Sequence, residues 1–527
     1  MNLFYAPLAK QLMEFIASTP TTFHVPGHNY GQVLNKMERI LQEEKYLSTN
    51  KNGFSDGQYE KVLALLKAIM MLDTTELNST DDLHDPVAGI AEARKLAAKT
   101  FGADQSYFLV GGSTAGNIAL LLATCEPGDT ILVQRNVHKS IINGLKLAGA
   151  NAVFLMPEYE PVTKLMTIPS LIQLEKALQL YPHAKAVFLT NPNYYGIGYR
   201  LEQWVELVHR FDIPLLVDEA HGAHYSLHEQ VPSGALEAGA DAVVQSTHKT
   251  LTAMTMSAML HIQGDLIDRQ QISDCLAMIQ SSSPSFPQMI SLDIARAIID
   301  VAGKQLLEQS LNTVQQLTEW IEHKTEYLKI VADENIRMTT NDLQKDPLRI
   351  LMYDTSGKFS GLQLQRLFEA QNCWVEMADL TYVVFVIHLG TEVADIDKLK
   401  AAIEQIDQQL SEKKQATASA NKGIIKEVMI NKEVLPDVET ELAISLPVSF
   451  DRKSSSSKTV RLVHLEEAVG KVAAEAIIPY PPGIPLLYEG EIWTDAHSHL
   501  VKQFIENGAK FQGSAVANLQ KVKIFGD

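Results

Sequence analysis

Short apolar runs alternate with helical segments between residues 107 and 261, and this alternation is the strongest pattern in the chain. Each run is long enough for one strand, and the segments between the runs place apolar residues at helical spacing. Such alternation predicts βαβ units around a mostly parallel sheet that is buried on both faces. The six predicted strands are residues 107–110, 131–133, 152–155, 186–189, 215–217 and 242–244.

The flanking segments predict further units. Helical patterns at 8–15 and 59–71 surround a turn-rich stretch, while residues 348–352, 382–387 and 396–410 read as two strands and a helix. The polar run that follows, at residues 411–423, is rich in serine and lysine, which is typical of a linker. We therefore predict an N-terminal arm (1–70), a large α/β domain (71–300), a smaller α/β domain (301–410), a linker (411–424) and a C-terminal α+β domain (425–527), in which 451–458 is an exposed loop.

The composition limits the possible partners and compartments. The 527 residues carry a net charge of -18, which disfavours nucleic acid and anionic membranes as partners. No apolar run approaches the ~20 residues of a transmembrane helix, and the N-terminus shows no basic region followed by a hydrophobic core, so the cytoplasm is the expected location. Cys125, Cys275 and Cys373 are widely spaced, which indicates neither a disulfide framework nor a metal site.

A lysine follows the last of the predicted strands. The apolar residues 242–244 carry the backbone inward toward Lys249, and the polar side chains of Ser246, Thr247 and His248 precede its amine and could hold a phosphate. Burial or a neighbouring cation lowers the pKa of a lysine and frees it to form a Schiff base with an aldehyde such as pyridoxal phosphate (PLP). Taken alone, Lys249 would be interpreted as a strand-end side chain that extends to water.

A carboxylate ends the predicted strand before it. Asp218 closes an apolar run that begins at Ile213. In PLP enzymes a buried carboxylate pairs with the protonated pyridine nitrogen, so that the ring can accept electrons. The alternative is that Asp218 caps the next helix. Because ligands of open α/β sheets gather at the carboxyl ends of strands, Asp218 and Lys249 together indicate a site more specifically than either residue alone.

A glycine-rich turn and a histidine complete the candidate site. Gly111-Gly112-Ser113-Thr114 lies between a strand and a helix, where backbone amides and the helix dipole can hold a phosphate. The turn lacks the lysine of a P-loop and the spacing of a Rossmann fingerprint, which argues against ATP or NAD. His138 follows another strand and could stack on an aromatic cofactor, although a lone histidine there is more often a cap or a surface group.

These motifs, in this order, resemble those of the Orn/Lys/Arg decarboxylases, and most closely the short bacterial type. The resemblance runs from about residue 5 to the C-terminus, where the proline-rich stretch 479–485 is similar to the family's C-terminal domain. The motifs that carry it are Phe23-His-Val-Pro-Gly-His28, Asp81-Asp-Leu-His84, Gly111-Gly-Ser-Thr114, Arg135-Asn-Val-His-Lys-Ser140, Asp218-Glu-Ala-His-Gly222, Ser246-Thr-His-Lys249 and Ser283-Pro-Ser-Phe-Pro287.

The resemblance implies PLP fold type I, like aspartate aminotransferase, with PLP as the cofactor. It implies that Lys249 binds PLP covalently, that Asp218 partners the pyridine nitrogen and that His138 stacks on the ring. The stretch that begins at Ser282 would reach the phosphate of the neighbouring subunit, so a homodimer or a higher even-numbered homo-oligomer with shared active sites is expected. Further cofactor contacts are implied for Ser113, Thr114, Ala220, His221, Ser246 and His248.

The chain departs from the family's pattern at two positions. Asn29 stands where many relatives have lysine, and His221 stands where the longer inducible enzymes have tryptophan. Both departures leave the Schiff-base chemistry intact, and both bear on which substrate is used.

An acidic segment at residues 72–85 precedes the glycine-rich turn. A long cationic substrate needs a carboxylate at the far end of its pocket, and Glu76, Asp81 or Asp82 could supply it. Each could instead lie in a solvated loop, and Asp81 or Asp82 could cap the next helix. His84 could approach the cofactor or fill a turn.

The resemblance, together with the acidic segment, implies α-decarboxylation of a basic amino acid, namely arginine, lysine or ornithine, to an amine and carbon dioxide. It also implies a role in polyamine biosynthesis. Lys249 and His138 are both candidates for the proton donor to Cα. One alternative is another PLP reaction on this fold, such as aminotransfer or elimination. A second alternative is a non-catalytic amino-acid or polyamine sensor, against which the presence of Lys249, Asp218 and His138 argues.

Overall fold

The structure is a computed structural model that describes residues 4–43, 56–160, 162–332, 336, 342–416, 444–450, 459–480, 485–512, 516 and 520–526. Its centre is an eight-stranded sheet in which five neighbouring strands run parallel. All six predicted strands lie in it, which confirms the expected α/β class. In spatial order the strands are β1 (Gln105–Leu109), β8 (Ala258–Ile262), β7 (Ala242–Gln245), β6 (Leu215–Asp218), β4 (Val187–Thr190), β2 (Thr130–Gln134), β3 (Asn151–Leu155) and β14 (Val448–Ser449).

Helices cover both faces of this sheet. Successive strand residues point to opposite faces, so Leu216 of β6 joins one core while Leu215 and Val217 join the other. A Cβ at Gly116 would lie 2.7 Å from Cδ1 of Leu109, so only glycine lets the following helix pack this closely on the strands. The covering helices are α5 (Gly112–Thr124), α6 (Lys139–Ala148) and α10 (Arg269–Ile279) on one face and α7 (Leu171–Leu180) and α8 (Glu202–His209) on the other.

The N-terminal arm is attached to the large domain through its first helix. Leu8 and Leu12 are buried in a core shared with the large domain, and the backbone nitrogen of Leu8 donates to Oδ2 of Asp293 over 2.9 Å. The arm's helices are α1 (Pro7–Ala17), α2 (Gln32–Glu43) and α3 (Asp56–Leu72), and α1 packs against α4 (Gly89–Phe101) and the long α11 (Phe286–Lys324).

The smaller domain is a four-stranded antiparallel sheet packed against helices. Because α11 crosses the expected boundary at residue 300, one continuous helix joins the two domains. A two-stranded sheet of β5 (Ile197–Tyr199) and β10 (Leu343–Lys345) also links them. The domain contains β9 (Leu328–Ile330), β11 (Arg349–Asp354), α12 (Gly361–Ala370), β12 (Met377–Ala378), β13 (Val383–Val386) and α13 (Val393–Ala416).

The expected linker and C-terminal domain are described in part. Helix α13 continues through the first six residues of the expected linker, and the rest of that segment lies outside the described residues. The expected loop 451–458 also lies outside them. The C-terminal elements are β15 (Val460–His464), α14 (Leu465–Ala468), β16 (Pro479–Tyr480), α15 (Asp495–Glu506), β17 (Lys510–Phe511) and β18 (Lys521–Phe525).

The C-terminal unit docks on the large domain just after β2. Arg135 donates to both carboxylate oxygens of Glu491, at 2.8 and 2.7 Å, and its guanidinium lies 3.7 Å from the ring centroid of Tyr488. The Tyr488 hydroxyl in turn donates to the Arg135 carbonyl over 2.7 Å. These contacts brace the backbone three residues before His138.

Among the helices that the structure describes, none has the length and apolar character needed to cross a bilayer.

Candidate active site

Asp218 and Lys249 meet at the carboxyl ends of two neighbouring parallel strands. Asp218 is the last residue of β6, and it pairs in register with Val244 of β7. Lys249 follows β7 in a short helix, α9 (Thr247–Thr250), for which Ser246 is the N-cap residue. The sequence pattern therefore placed both groups at the same edge of the sheet, where ligands of open α/β sheets bind.

The carboxylate of Asp218 is held by two donors. Asn117 Nδ2 donates to Oδ2 over 2.9 Å, and the Ala220 backbone nitrogen donates to Oδ1 over 3.1 Å. Burial raises the pKa of Asp218, while Lys249 and the two hydrogen bonds oppose that rise. A cationic N–H placed beside this carboxylate would also oppose the rise in its pKa, because opposite charges favour the ionised form.

The amine of Lys249 lies among histidine and aromatic rings. Its Nζ is 3.0 Å from His221 Nε2 and 5.6 Å from the ring centroid of Tyr194. Burial lowers the pKa of Lys249, and Arg349 adds to this effect, whereas Asp218 and Glu376 oppose it. The environment therefore raises the uncharged, nucleophilic fraction of the amine relative to that of an exposed lysine.

His138 is the N-cap of α6, and its side chain is fixed by Ser140. Nδ1 accepts from the Ser140 backbone nitrogen at 3.2 Å and from Ser140 Oγ at 2.8 Å, which leaves the ring proton on Nε2. Burial, with help from Lys249 and Lys139, lowers the pKa of His138 to about 4. The capping role and the cofactor role weighed for His138 are thus compatible, since one nitrogen caps while the other stays available.

The predicted phosphate-binding residues come from separate elements and meet. Ser113 Oγ and Ser246 Oγ are 2.6 Å apart at the N-terminus of α5, and Thr114 is exposed beside them. Gly112 adopts a φ of +70°, a left-handed conformation that glycine permits without strain. The His248 ring donates to the Ser257 carbonyl over 2.9 Å, which fixes its orientation.

The asparagine- and tyrosine-rich turn after β4, residues 191–196, has both a structural part and a part that reaches the site. Asn191 exchanges hydrogen bonds with the Tyr199 backbone at 2.9 Å in both directions, so its side chain shapes the loop. Tyr194, in contrast, reaches the site, where its ring centroid lies 4.4 Å from that of His221.

The acidic segment divides into structural and available carboxylates. Asp81 is buried and accepts hydrogen bonds from four backbone nitrogens, those of Asp82, Val87, Ala88 and Ile90, at 2.9 to 3.0 Å. Its helix-capping role occupies both oxygens, so this carboxylate has little capacity left for a substrate.

Asp82 and Glu76 retain more freedom. One oxygen of Asp82 accepts from the His84 backbone nitrogen at 2.8 Å. Thr75 donates to Oε2 of Glu76 over 2.6 Å, whereas Glu76 Oε1 is buried without a hydrogen-bond partner among the described residues. Glu76 therefore stays a candidate for a distal cation.

Ser282 and His84 lie close together in the chain's own fold. His84 Nε2 donates to the Ser281 carbonyl over 3.0 Å, and Ser282 is exposed. Within the described residues, no hydrogen bond joins Ser282 to Lys249. The expected action of Ser282 on a neighbouring subunit stays a prediction.

Three residues of the site were not singled out from the sequence. Arg349 NH2 donates to His221 Nδ1 over 2.8 Å, and Asn117 donates to the Asp218 carboxylate. The charge of the exposed Glu376 opposes the lowering of the pKa of Lys249 and of His248. Asn117 stands in the glycine-rich motif, so its position was a signal. Arg349 and Glu376 belong to the smaller domain and had no local signal.

No group of three or more histidine, cysteine or acidic side chains suited to a metal ion occurs within the described ranges.

Comparisons with known proteins agree with this geometry. The model of the Orn/Lys/Arg decarboxylase major domain matches residues 6–395, and that of the family's C-terminal domain matches residues 441–514. The chain is 36% identical to the Bacillus subtilis protein YaaO over 510 residues, 96% of each chain. It is 30% identical to an arginine decarboxylase of Bacillus anthracis over 525 residues, 99% of this chain and 98% of that protein.

Among solved structures, the lysine decarboxylase LdcF of Francisella novicida has the same fold. The TM-score is 0.76 at 20% identity, and the match covers 99% of this chain and 81% of that one.

Proposed function

The chain belongs to the Orn/Lys/Arg decarboxylase family, and on this premise we propose that it is a carboxy-lyase that removes the α-carboxylate of a basic amino acid. The observation that carries the proposal is that the buried Asp218 and the half-buried Lys249 lie at one edge of the sheet, with the neutral ring of His138 at the same site. This pair supplies what such a reaction requires of the protein, a nucleophilic amine and a fixed negative charge.

The residues of the site suit PLP as the cofactor. Lys249 presents an amine with a lowered pKa, Asp218 presents a buried carboxylate, and the Ser113 and Ser246 hydroxyls meet at a helix N-terminus that favours an anion. When bound, PLP supplies an electron sink for the electron pair of the broken Cα–carboxylate bond.

Each side chain then has a separate task. Lys249 would hold the cofactor through its amine. Asp218 would keep a proton at the pyridine nitrogen, and its two donors, Asn117 and the Ala220 backbone, orient the carboxylate. His138 would lie against the ring; because its pKa is about 4, the imidazole is neutral at pH 7 and would not repel a cationic ring. Ser113, Thr114, Ser246 and His248 would hold the phosphate.

Arginine is the first substrate to test. Relatives that match nearly this whole chain at 29 to 31% identity are named arginine decarboxylases, whereas relatives at 22 to 24% are named lysine decarboxylases. The carboxylates available for a distal cation are Glu76, Asp82 and Glu376.

The test is product analysis with purified protein and added PLP. Arginine, lysine and ornithine are supplied in turn, and carbon dioxide and the amine are measured, with Lys249→Ala as the blank. We expect stoichiometric carbon dioxide and amine from at least one of them. A keto acid would indicate aminotransfer instead, and binding without any product would indicate a sensor.

We further propose a homodimer with shared active sites. Four apolar side chains on α3 are exposed and offer a surface for a second copy, namely those of Val62, Leu65, Leu66 and Ile69. Ser282 is also exposed, and it lies shortly before the start of α11. Cytoplasmic location and a role in polyamine biosynthesis stay predictions.

Hybrid dimers test the shared site directly. Lys249→Ala and Ser282→Glu are each expected to be inactive alone. If the two residues serve one site from different subunits, co-expression restores about a quarter of the wild-type activity, because half of a statistical mixture is hybrid and each hybrid has one intact site of two. If both residues serve a site within one chain, the mixture stays inactive.

A further inference from the structure

Arg349, His221 and Lys249 form a line of hydrogen-bonding groups in the site. Arg349 NH2 lies 2.8 Å from His221 Nδ1, and His221 Nε2 lies 3.0 Å from Lys249 Nζ. Arg349 is 1% exposed and His221 is 3% exposed, so water does not substitute for either contact. Each ring nitrogen of His221 therefore has a definite partner.

Arg349 is held in place from its other side. Its NH1 donates to the Tyr194 carbonyl over 3.2 Å, and its Nε is 3.7 Å from Oδ2 of Asp346, which also lies 3.2 Å from His224 Nε2. Gly196 packs on the side chain so closely that a Cβ there would lie 2.7 Å from Arg349 Cδ. The guanidinium is thus fixed as the partner of His221.

The protons of this line can be arranged in one way only. A guanidinium has donors and no acceptor, so His221 Nδ1 must accept from Arg349. A neutral imidazole then carries its proton on Nε2, which donates to Nζ of Lys249. The amine must accept that hydrogen bond with its lone pair, and an amine that does so is uncharged.

The other arrangements place two donors face to face. A Lys249 ammonium donating to Nε2 would move the imidazole proton to Nδ1, against Arg349 at 2.8 Å. A doubly protonated His221 would oppose donors on both sides. Burial, with the charge of Arg349, lowers the pKa of His221 well below its ordinary value and disfavours that form as well.

We propose that Arg349 is a positioning residue that fixes the tautomer of His221 and thereby holds Lys249 as a free amine. This deepens the proposed function and rests on it, since a free amine is what a cofactor aldehyde requires. Arg349 begins β11 of the smaller domain, whereas Lys249 and His221 belong to the large domain. The reactive state of Lys249 therefore depends on how the smaller domain is docked.

The test measures the amine itself. Full-length protein freed of cofactor is exposed to trace acetic anhydride over a series of pH values, and the acetylated fraction of Lys249 is read by peptide mass spectrometry. In the wild type we expect half-maximal labelling well below pH ~10.4, the ordinary lysine value. In Arg349→Met, which loses both donor and charge, the midpoint should rise by roughly 1 pH unit or more.

Two further variants separate the tautomer from the charge. Arg349→Gln keeps an N–H donor without the charge, so its midpoint should stay nearer the wild type than that of Arg349→Met. Arg296→Met is a matched control, because Arg296 is also buried and also lies beside an aspartate three residues earlier. Arg296→Met should leave the labelling midpoint of Lys249 unchanged.

The outcomes are distinguishable. A wild-type midpoint near pH 10.4, equal shifts in the Gln and Met variants, or an equal shift in Arg296→Met would each overturn the inference. If Arg349→Met does not fold, as judged by circular dichroism, His221→Phe removes the Nε2 donor and should raise the midpoint in its place. Expected labelling without carbon dioxide release from any basic amino acid would refute the proposed function alone.

Discussion

The side-chain nitrogen of Asn117 donates a hydrogen bond of 2.9 Å to Oδ2 of Asp218. The same nitrogen donates to Ser140 Oγ over 3.0 Å, and Ser140 Oγ in turn donates to His138 Nδ1 over 2.8 Å. One buried side chain on α5 thereby orients both the carboxylate after β6 and, through Ser140, the imidazole that begins α6.

Replacing Asn117 should impair turnover through both groups. We expect Asn117→Ala to lower kcat by roughly 10- to 100-fold, because a hydrogen bond to a charged group contributes about 1.5 to 3 kcal/mol. Ser140→Ala removes the link between Asn117 and His138 but keeps the hydrogen bond from Asn117 to Asp218, so it should cost less. Steady-state kinetics with saturating PLP measure both, and an equal loss in the two variants would contradict the bridging role.

Lys249→Ala should abolish decarboxylation and the visible absorbance of covalently bound cofactor while the chain still folds. Within the part of the chain that the structure describes, Lys249 is the one amine whose charge acts on Asp218, and deleting its half-buried side chain leaves room for water rather than strain. Absorbance spectra after exhaustive dialysis and a thermal melt test this. A retained visible band would show that a different lysine holds the cofactor.

Asp218→Asn should bind PLP and yet lose kcat by orders of magnitude, because a neutral pyridine accepts electrons poorly. Asp241→Asn is the matched control: Asp241 is also buried, but it precedes β7 at the opposite edge of the sheet and accepts from the Leu215 backbone nitrogen at 2.8 Å. Asp241→Asn should lower Tm and leave kcat nearly unchanged. Near-normal kcat in Asp218→Asn with full cofactor would refute the assignment.

Substitutions of Glu76 and of Asp81 should affect different properties, namely kcat/KM and Tm. Glu76→Gln is expected to lower kcat/KM for basic amino acids by roughly 10- to 100-fold if its carboxylate binds the distal cation. Asp81→Asn weakens four backbone hydrogen bonds at the start of α4 and should act on Tm instead. Kinetics on arginine, lysine and ornithine, with Asp82→Asn alongside, decide which carboxylate matters. Equal turnover of neutral amino acids would exclude all three.

Acid should destabilise the protein through its buried histidines. Burial lowers the pKa of His261 from 6.5 to about 3, and Ser106 Oγ lies 2.7 Å from its Nδ1. As pH falls below 6.5 the unfolded chain binds a proton that the folded chain does not, so the free energy of unfolding falls by about 1.4 kcal/mol per pH unit for each such histidine.

The His261→Phe variant isolates this effect. Between pH 6 and pH 4 its free energy of unfolding should depend less steeply on pH than that of the wild type, by about 1.4 kcal/mol per unit. Urea denaturation across that range provides the measurement. Parallel curves for the two proteins would mean that His261 gains its proton without unfolding.

The sequence by itself determined the strands of the central sheet and the edge at which the site forms. Apolar periodicity decides which segments are buried on two faces, and parallel strands necessarily present their carboxyl ends together. Asp218 and Lys249 could be placed side by side for that reason, and the glycine-rich turn at residues 111–114 was identifiable from local backbone chemistry alone.

The tertiary structure alone decided which groups control those residues. Arg349 follows Lys249 by 100 residues and reaches His221 from another domain, and Asn117 contacts Asp218 across 101 positions of sequence. The choice of Asp81 between capping and substrate binding also depended on which backbone nitrogens lay within reach of its oxygens. Local pattern specifies the faces and ends of elements, whereas contacts between distant side chains depend on how those elements pack.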